Sequence, residues 1–222
     1  MKTPVALAPM SLAPTDLDPI EVRILGCLME KQRTTPDGYP LTLNALRLAC
    51  NQSTNRDPVV DYDEDLIHDT LQKLHRRELT RAASGHGSRS SKYRHLVPET
   101  LGIDSPEQAL LAVLLLRGDQ TPGELKTRTE RLHGFESLEE VETTLDVMAE
   151  RGLTEKLERR PGEKQVRWRQ LLGGGESFLE GAPAAAPEPV IQVERTDEIA
   201  ELKAAVARLE REVAELRERI DS

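Results

Sequence analysis

A run of basic side chains between His75 and His95 is the segment whose chemistry is easiest to state. Six arginines and lysines stand there against one glutamate, giving a net charge of +5 in a chain whose total is −9. Such groups bind phosphate oxygens, and each phosphate that they neutralise releases counterions from DNA. The run therefore predicts contact with a phosphate backbone, while a solvated charged hairpin is the alternative. The candidate nucleic-acid-binding residues are Gln72, Lys73, Arg76, Arg81, Arg89, Lys92 and Arg94.

Acidic residues precede this run on the same predicted helix, which begins Asp63-Glu64-Asp65. Carboxylates near a helix N-terminus stabilise the helix by about 0.3–1 kcal/mol each, but DNA phosphates repel them. A related helix that begins near residue 138 has glutamates in its first turn as well. We therefore expect DNA contact from the basic run and the helix end, and not from the helix N-terminus.

A second set of polar residues could form either a structural turn or a contact loop for DNA or a partner. The stretch NQSTNRDP (51–58) falls between two predicted helices, where such side chains often hydrogen-bond to the backbone. The stretch TRTERLHGF (127–135) ends the matching helix of a second repeat. The residues of this set are Asn51, Gln52, Asn55, Arg56, Asp57, Arg128 and Arg131. Of these, we expect Arg56 and Asp57 to hold the turn.

The sequence lacks the motifs of an enzyme or a metal centre. It has no HExxH, no Cys-x-x-Cys and no glycine-rich phosphate loop. His68 and His75 are seven residues apart on one predicted helix, which favours a surface pair over a metal site. Cys27 and Cys50 lie in apolar helical patterns and are expected to be buried free thiols. We predict a non-enzymatic protein with no cofactor and no metal.

The elements that position these residues occur twice along the chain. Four apolar residues at helical spacing recur 74 residues later: Ile67, Leu71, Leu74 and Leu79 correspond to Val141, Leu145, Met148 and Leu153. Each copy has a long helix (about 19–31 and 106–117), a short helix (42–50 and 121–132), a third helix (63–77 and 138–151) and a β-hairpin (79–97 and 153–171). This order is typical of a winged helix-turn-helix. The expected fold is mainly α with small hairpin wings (α+β), in two tandem winged-helix domains.

The chain changes character after Leu171. A segment rich in Gly, Ala and Pro predicts a linker, and a heptad pattern follows it. The heptad seam consists of Ile199, Leu202, Val206, Leu209, Val213, Leu216 and Ile220. β-Branched residues at a and leucines at d favour a parallel homodimer, and a helix folded back onto its own domain is the alternative. The predicted boundaries are a disordered tail (1–16), domain one (17–98), domain two (99–172), linker (173–196) and coiled coil (197–221).

Charge and hydropathy limit the class of protein. Residues 1–97 carry +1, residues 98–175 carry −4 and residues 176–222 carry −6. The acidity therefore belongs mainly to the second half and does not exclude nucleic acid. No apolar run reaches the roughly 18 residues of a membrane span, so we expect a cytoplasmic protein that does not enter the membrane.

Three stretches resemble one protein family. They are ACNQSTNRDPV (49–59), SRSSKYRHL (88–96) and LLRGDQTPGELKTRTERLHGF (115–135). With them the chain resembles the YceH family, bacterial tandem winged-helix proteins of unknown function, over about residues 16–171. The resemblance implies the tandem fold and supplies no reaction, cofactor or partner.

Two functions from different classes follow from these patterns. The first is a DNA-binding, transcription-regulator-like protein that contacts DNA weakly through its first wing. The second is an acidic winged-helix scaffold for protein interaction, a subunit of a larger bacterial complex. Salt-dependent retention on DNA separates the two.

Overall fold

The computed structural model describes residues 16–83, 91–159 and 165–173. In these residues a mixed α/β chain forms helices with small antiparallel sheets. The helices are α1 (Pro19–Thr34), α2 (Leu43–Cys50), α3 (Glu64–Arg76), α4 (Val97–Leu101), α5 (Ser105–Arg117), α6 (Pro122–Thr129) and α7 (Leu138–Glu150). The strands are β1 (Leu41–Thr42), β2 (Thr80–Ala83), β3 (Lys92–His95), β4 (Thr154–Lys156) and β5 (Trp168–Gln170), and a short 3-10 helix covers Pro36–Gly38.

The predicted order of three helices and a hairpin is present in both copies, with small differences at element ends. Helix α1 continues to Thr34 rather than ending near residue 31, and α6 ends at Thr129 rather than near residue 132. The amides of Leu132 and His133 both donate to the Thr129 carbonyl, so a turn replaces the last helical residues. The pattern did not predict α4, which contains the expected boundary between residues 98 and 99.

Side-chain caps explain where the helices begin. Asp18 and Asp104 cap α1 and α5 in capping boxes, each with a glutamate three residues later. Asp63 caps α3 by accepting a hydrogen bond from the Leu66 amide at 2.8 Å. A cap of this kind stabilises a helix by about 1 kcal/mol. The first acidic residue of α3 therefore serves the helix.

The sheets are small and antiparallel. In the first copy β1, β3 and β2 form a three-stranded sheet in that order. In the second copy β4 pairs with β5, and Gln120 forms an isolated bridge to Trp168 on the other side of β5. The two copies therefore share one topology, and the extra strand of the first copy is reduced to a single bridge in the second.

One hydrophobic core contains both copies, because α1 packs along α5. Gly26 permits this approach, since a Cβ at that position would lie 2.8 Å from Leu116 Cγ. The amide of Leu17 donates to the Leu172 carbonyl at 3.0 Å and joins the two ends of the described region. Cys27 and Cys50 are buried free thiols, as predicted.

Several predicted segments lie outside the described residues. These are most of the tail (1–16) and of the linker (173–196), Arg89, and the coiled coil (197–221) with the dimer seam. Among the residues that the structure does describe, no helix is long and apolar enough to cross a membrane.

Candidate nucleic-acid interface

The hairpin of the first copy brings basic side chains onto one face. Arg81 pairs with Arg94, and Ala83 pairs with Lys92, in antiparallel register. Successive side chains of a strand point to opposite faces, so Tyr93 and His95 are buried between these positions while Arg81 is exposed. Lys92 and Arg94 are partly exposed. We call Arg81, Lys92 and Arg94 the basic face.

An acidic residue of α4 borders the basic face. The Arg94 Nη1 atom lies 3.1 Å from Glu99 Oε1, with side chains that are 35% and 58% exposed. Burial raises the pKa of Glu99, but its own backbone amide and Arg94 outweigh that effect, so the pKa lies below its ordinary value. Exposed pairs of this kind contribute about 0–1 kcal/mol. Glu99 therefore reduces the charge of the basic face without holding Arg94 firmly.

The end of α3 adds further exposed polar groups. Gln72, Lys73 and Arg76 are exposed, and Lys73 Nζ lies 3.7 Å from Asp18 Oδ2. Arg77 is one of the six basic residues that give the segment between His75 and His95 its net charge of +5. Its side chain donates to the buried Glu21 carboxylate at 2.9 Å. Part of the net +5 of this segment is therefore used inside the fold, and Arg77 does not belong to the candidate interface.

Strand β2 is fixed to the end of α3. The hydroxyl of Thr80 donates to the Leu71 carbonyl at 3.4 Å. The His75 Nδ1 atom lies 3.2 Å from the Thr80 carbonyl oxygen. Arg81 follows Thr80 directly, so the basic face and the exposed end of α3 belong to one rigid surface.

The N-terminal turn of α3 remains acidic. Asp63 is engaged as the cap, and Glu64 lies 3.8 Å from Arg47 of α2. Asp65 and Asp69 are exposed. Phosphates would meet exposed carboxylates there, and that this helix does not approach DNA by its N-terminus stays a prediction.

The second copy has no comparable basic surface in its described part. Arg169 donates to both carboxylate oxygens of Asp119, at 2.9 and 3.0 Å. Arg167 donates to Glu124 at 3.0 Å. Helix α7 exposes Glu139, Glu142, Asp146 and Glu150. The candidate interface is therefore confined to the first copy.

Arg56 orders the loop between α2 and α3. Its side chain is fully buried in its ion pair with Glu30, to which it donates at 3.1 and 2.7 Å. It also donates to the Ala49 carbonyl at 3.0 Å and to Gln52 at 2.7 Å. Burial lowers the pKa of Arg56, but Cys27 and Glu30 raise it more, and the pKa lies above its ordinary value. These are the contacts of a residue that holds the turn.

The other residues of this loop divide between the turn and the second copy. Asn51 closes the loop, since its side chain donates to the Tyr62 carbonyl at 2.8 Å and accepts from the Tyr62 amide at 2.9 Å. The amide of Asp57 donates to the Leu116 carbonyl at 2.9 Å, so Asp57 acts through its backbone. Asn55 is exposed, has a positive φ of 60° and accepts a hydrogen bond from Arg117.

Two arginines that the sequence reasoning missed support the same region. Arg23, in the middle of α1, is 2% exposed and donates to the carbonyls of Cys50 and Pro58 at 3.2 and 2.6 Å. Arg117, at the end of α5, reaches Asn55 from the second copy. An arginine inside an apolar helical run was the available signal for Arg23, because such a side chain must find partners when buried. Nothing in the local sequence indicates that Arg117 meets Asn55.

Arg128 and Arg131 lie near this loop and away from the basic face. Arg128 is 3.5 Å from Glu124, and Arg131 is exposed. Both line a cavity together with Asn55, and no residue of the basic face lines it. The structure therefore brings Asn55, Arg128 and Arg131 of the second polar set together at the junction of the two copies.

Comparisons with known proteins find matches over the region that contains the two copies. Residues 17–163 match a family described as "Protein of unknown function, DUF480". A UPF0502 protein of Shewanella sp. (strain MR-4) is 42% identical over 210 residues, covering 91% of this chain and 95% of the relative. UPF0502 proteins of Solibacter usitatus (46% over 201 residues, 90% and 93%) and Pelobacter propionicus (45% over 209 residues, 92% and 95%) are similar.

Proposed function

The chain belongs to the DUF480 family of uncharacterised bacterial proteins, as its motifs indicated, and we propose that it is a non-enzymatic, cytoplasmic tandem winged-helix protein that binds DNA through its first wing. The order α1, β1, α2, α3, β2, β3 supports a winged helix-turn-helix in the first copy. The order α5, α6, α7, β4, β5 supports a second one with a reduced sheet. DNA binding is assigned to the first copy alone.

The register of the β2–β3 hairpin is the observation that carries this proposal. It supports a single outward surface formed by Arg81, Lys92 and Arg94, continuous with Arg76 at the end of α3. Phosphate contacts of this kind bind DNA without reading its sequence. The acidic first turn of α3 disfavours base contacts in the major groove. We therefore propose weak and mainly non-specific binding.

Salt dependence of DNA binding is the decisive experiment. The three residues of the basic face and Arg89, a fourth candidate from the sequence, would make four phosphate contacts, for which log K against log salt has a slope of about −3 to −4. The double variant Arg81→Gln with Lys92→Gln should flatten this slope by about 2. Fluorescence anisotropy with a short labelled duplex measures both values.

A matched control removes the same charge elsewhere. Lys156→Gln with Arg159→Gln changes two exposed basic residues of the second hairpin and should leave the slope close to the wild-type value. Glu99→Gln should increase the affinity at low salt because it removes a negative charge from the border of the basic face. Absence of binding at low salt, or equal losses in both double variants, would refute the proposal.

A scaffold is the second candidate function, and the surface of α7 favours it. Leu138 and Val147 are 40% and 46% exposed between the carboxylates of this helix. Exposed apolar side chains among carboxylates suit a protein partner with basic and apolar groups. Capture of one defined partner from the native cytoplasm after nuclease treatment, lost in a Val147→Asp variant, would favour this function. Dimerisation through residues 197–221 would serve either function by presenting two copies of each surface.

A further inference from the structure

A cavity of about 260 Å³ lies between the two copies of the repeat. Leu116 of α5 contributes to its apolar wall, and Asn55 and Glu30 border it from the first copy. The second copy also contributes three positively charged residues to the lining, Arg117, Arg128 and Arg131. The cavity lining thus combines apolar side chains with guanidinium groups.

The charges around the cavity do not cancel. Glu30 lines it, but both of its carboxylate oxygens accept hydrogen bonds from Arg56, which neutralises the carboxylate. Arg117 is bonded to Asn55, which is uncharged. Arg128 shares Glu124 with Arg167, since the two lie 3.5 and 3.0 Å from its carboxylate. Among the described residues, no ion pair is formed by Arg131.

Crowding of cations is visible at Arg117. Burial lowers the pKa of Arg117, and the charges of Arg128 and Arg56 lower it further, while Glu30 and Asp57 oppose this effect without cancelling it. An anion between these groups would relieve their repulsion and replace water around partly buried guanidiniums. Arginine suits this task because its planar group donates two parallel hydrogen bonds to a phosphate or carboxylate.

We propose that this cavity binds a small organic anion, with Arg128 and Arg131 holding the anionic group and the α5 wall contacting an apolar body. Its volume is just below the roughly 300–1,000 Å³ of drug-sized ligand sites, so the ligand has about the size of a single substituted ring. The first copy contributes Glu30, Thr34 and Asn55 to the lining, so a ligand that fills the cavity contacts both copies and stabilises their junction. This site is independent of the basic face and of DNA binding.

Calorimetric titration of the full chain tests the proposal with phenyl phosphate and benzoate as probes. At least one of them should bind with a stoichiometry of one per chain and raise the melting temperature. Inorganic phosphate keeps only the contacts of the anionic group, and phenol keeps only those of the ring. Each should bind at least tenfold more weakly than phenyl phosphate. Arg128→Gln with Arg131→Gln should weaken the binding of the better probe at least tenfold.

Two controls keep the result interpretable. Arg81→Gln with Lys92→Gln removes the same charge from the basic face and should leave probe binding unchanged. Arg128→Lys with Arg131→Lys keeps the charge and should bind more weakly than wild type but more tightly than the Gln variant. Failure of both probes to bind, or equal weakening by the two Gln double variants, would overturn the site. Neither result bears on retention of the chain by DNA.

Discussion

Arg56 and Arg81 carry the same charge and have opposite roles because their surroundings differ. Arg56 is 6% exposed and its guanidinium is shared between a carboxylate and backbone carbonyls. Arg81 is exposed on the outer face of a hairpin. The sequence indicated the role of Arg56 because a polar loop without a counterpart in the second copy must be ordered by its own bonds. It could not indicate Arg117, whose partner lies 62 residues away.

Replacement of Arg56 by alanine should destabilise the protein. The change removes the buried partner of Glu30 and one of the two donors to the Ala49 carbonyl, and breaking such a buried pair costs about 3–5 kcal/mol. Thermal unfolding of Arg56→Ala should show a clearly lower melting temperature than that of Ser53→Ala, an exposed change in the same loop. An unchanged melting temperature combined with lost DNA or partner binding would move this loop from structure to function.

His95 should make the stability of the fold depend on pH. Its imidazole is 2% exposed, and Nε2 lies 2.9 Å from Gln32 Oε1, which also accepts from Gln108. Nε2 therefore carries the proton, and Nδ1 has no partner among the described residues. Burial lowers the pKa of His95 to about 4, opposed by Glu99 and reinforced by Arg94 and Arg33.

The depressed pKa of His95 sets the direction of the pH effect. In the unfolded chain this imidazole is protonated below about pH 6.5. In the folded chain it is protonated only below about pH 4. The free energy of unfolding should therefore decrease by about 3 kcal/mol as the pH is lowered from about 6.5 to about 4. Urea unfolding of wild type and of His95→Gln at several pH values measures the difference. Parallel pH profiles for the two proteins would contradict this role of His95.

At the scale of elements, periodicity predicted most of what the structure contains. The 3.6-residue spacing located α3 and α7, and the repeat placed a long helix before each of them, which corresponds to α1 and α5. Helix α4 was missed because VPETL is too short to show a period and sits where a domain boundary was expected. The basic hairpin was predicted from composition, whereas the ion pair that holds Arg77 depends on Glu21, which is distant in sequence.

The junction of the copies could not be predicted from local patterns. The repeat indicated two similar units, but no sequence period reports that α1 packs along α5 or that the loop at residues 51–58 bonds to Leu116. Long-range contacts of this kind arise only after both units exist. The two family motifs that meet around the cavity, residues 49–59 and 115–135, can therefore be recognised in the sequence. Their proximity in space is seen only in the folded structure.

At the scale of the whole molecule, the shared core predicts that both copies unfold together. Leu46 is fully buried in α2, which packs against α1, α3 and β1 of the first copy, and Trp168, the only tryptophan of the chain, is buried in the second. Leu46→Ala should lower the free energy of unfolding by about 2–5 kcal/mol. If α1 and α5 couple the copies, tryptophan fluorescence and far-UV circular dichroism should show one transition, shifted equally to lower urea. Leu48→Ala, on the same helix but 56% exposed, should shift neither. A fluorescence transition that stays at the wild-type midpoint in Leu46→Ala would mean that the copies unfold independently.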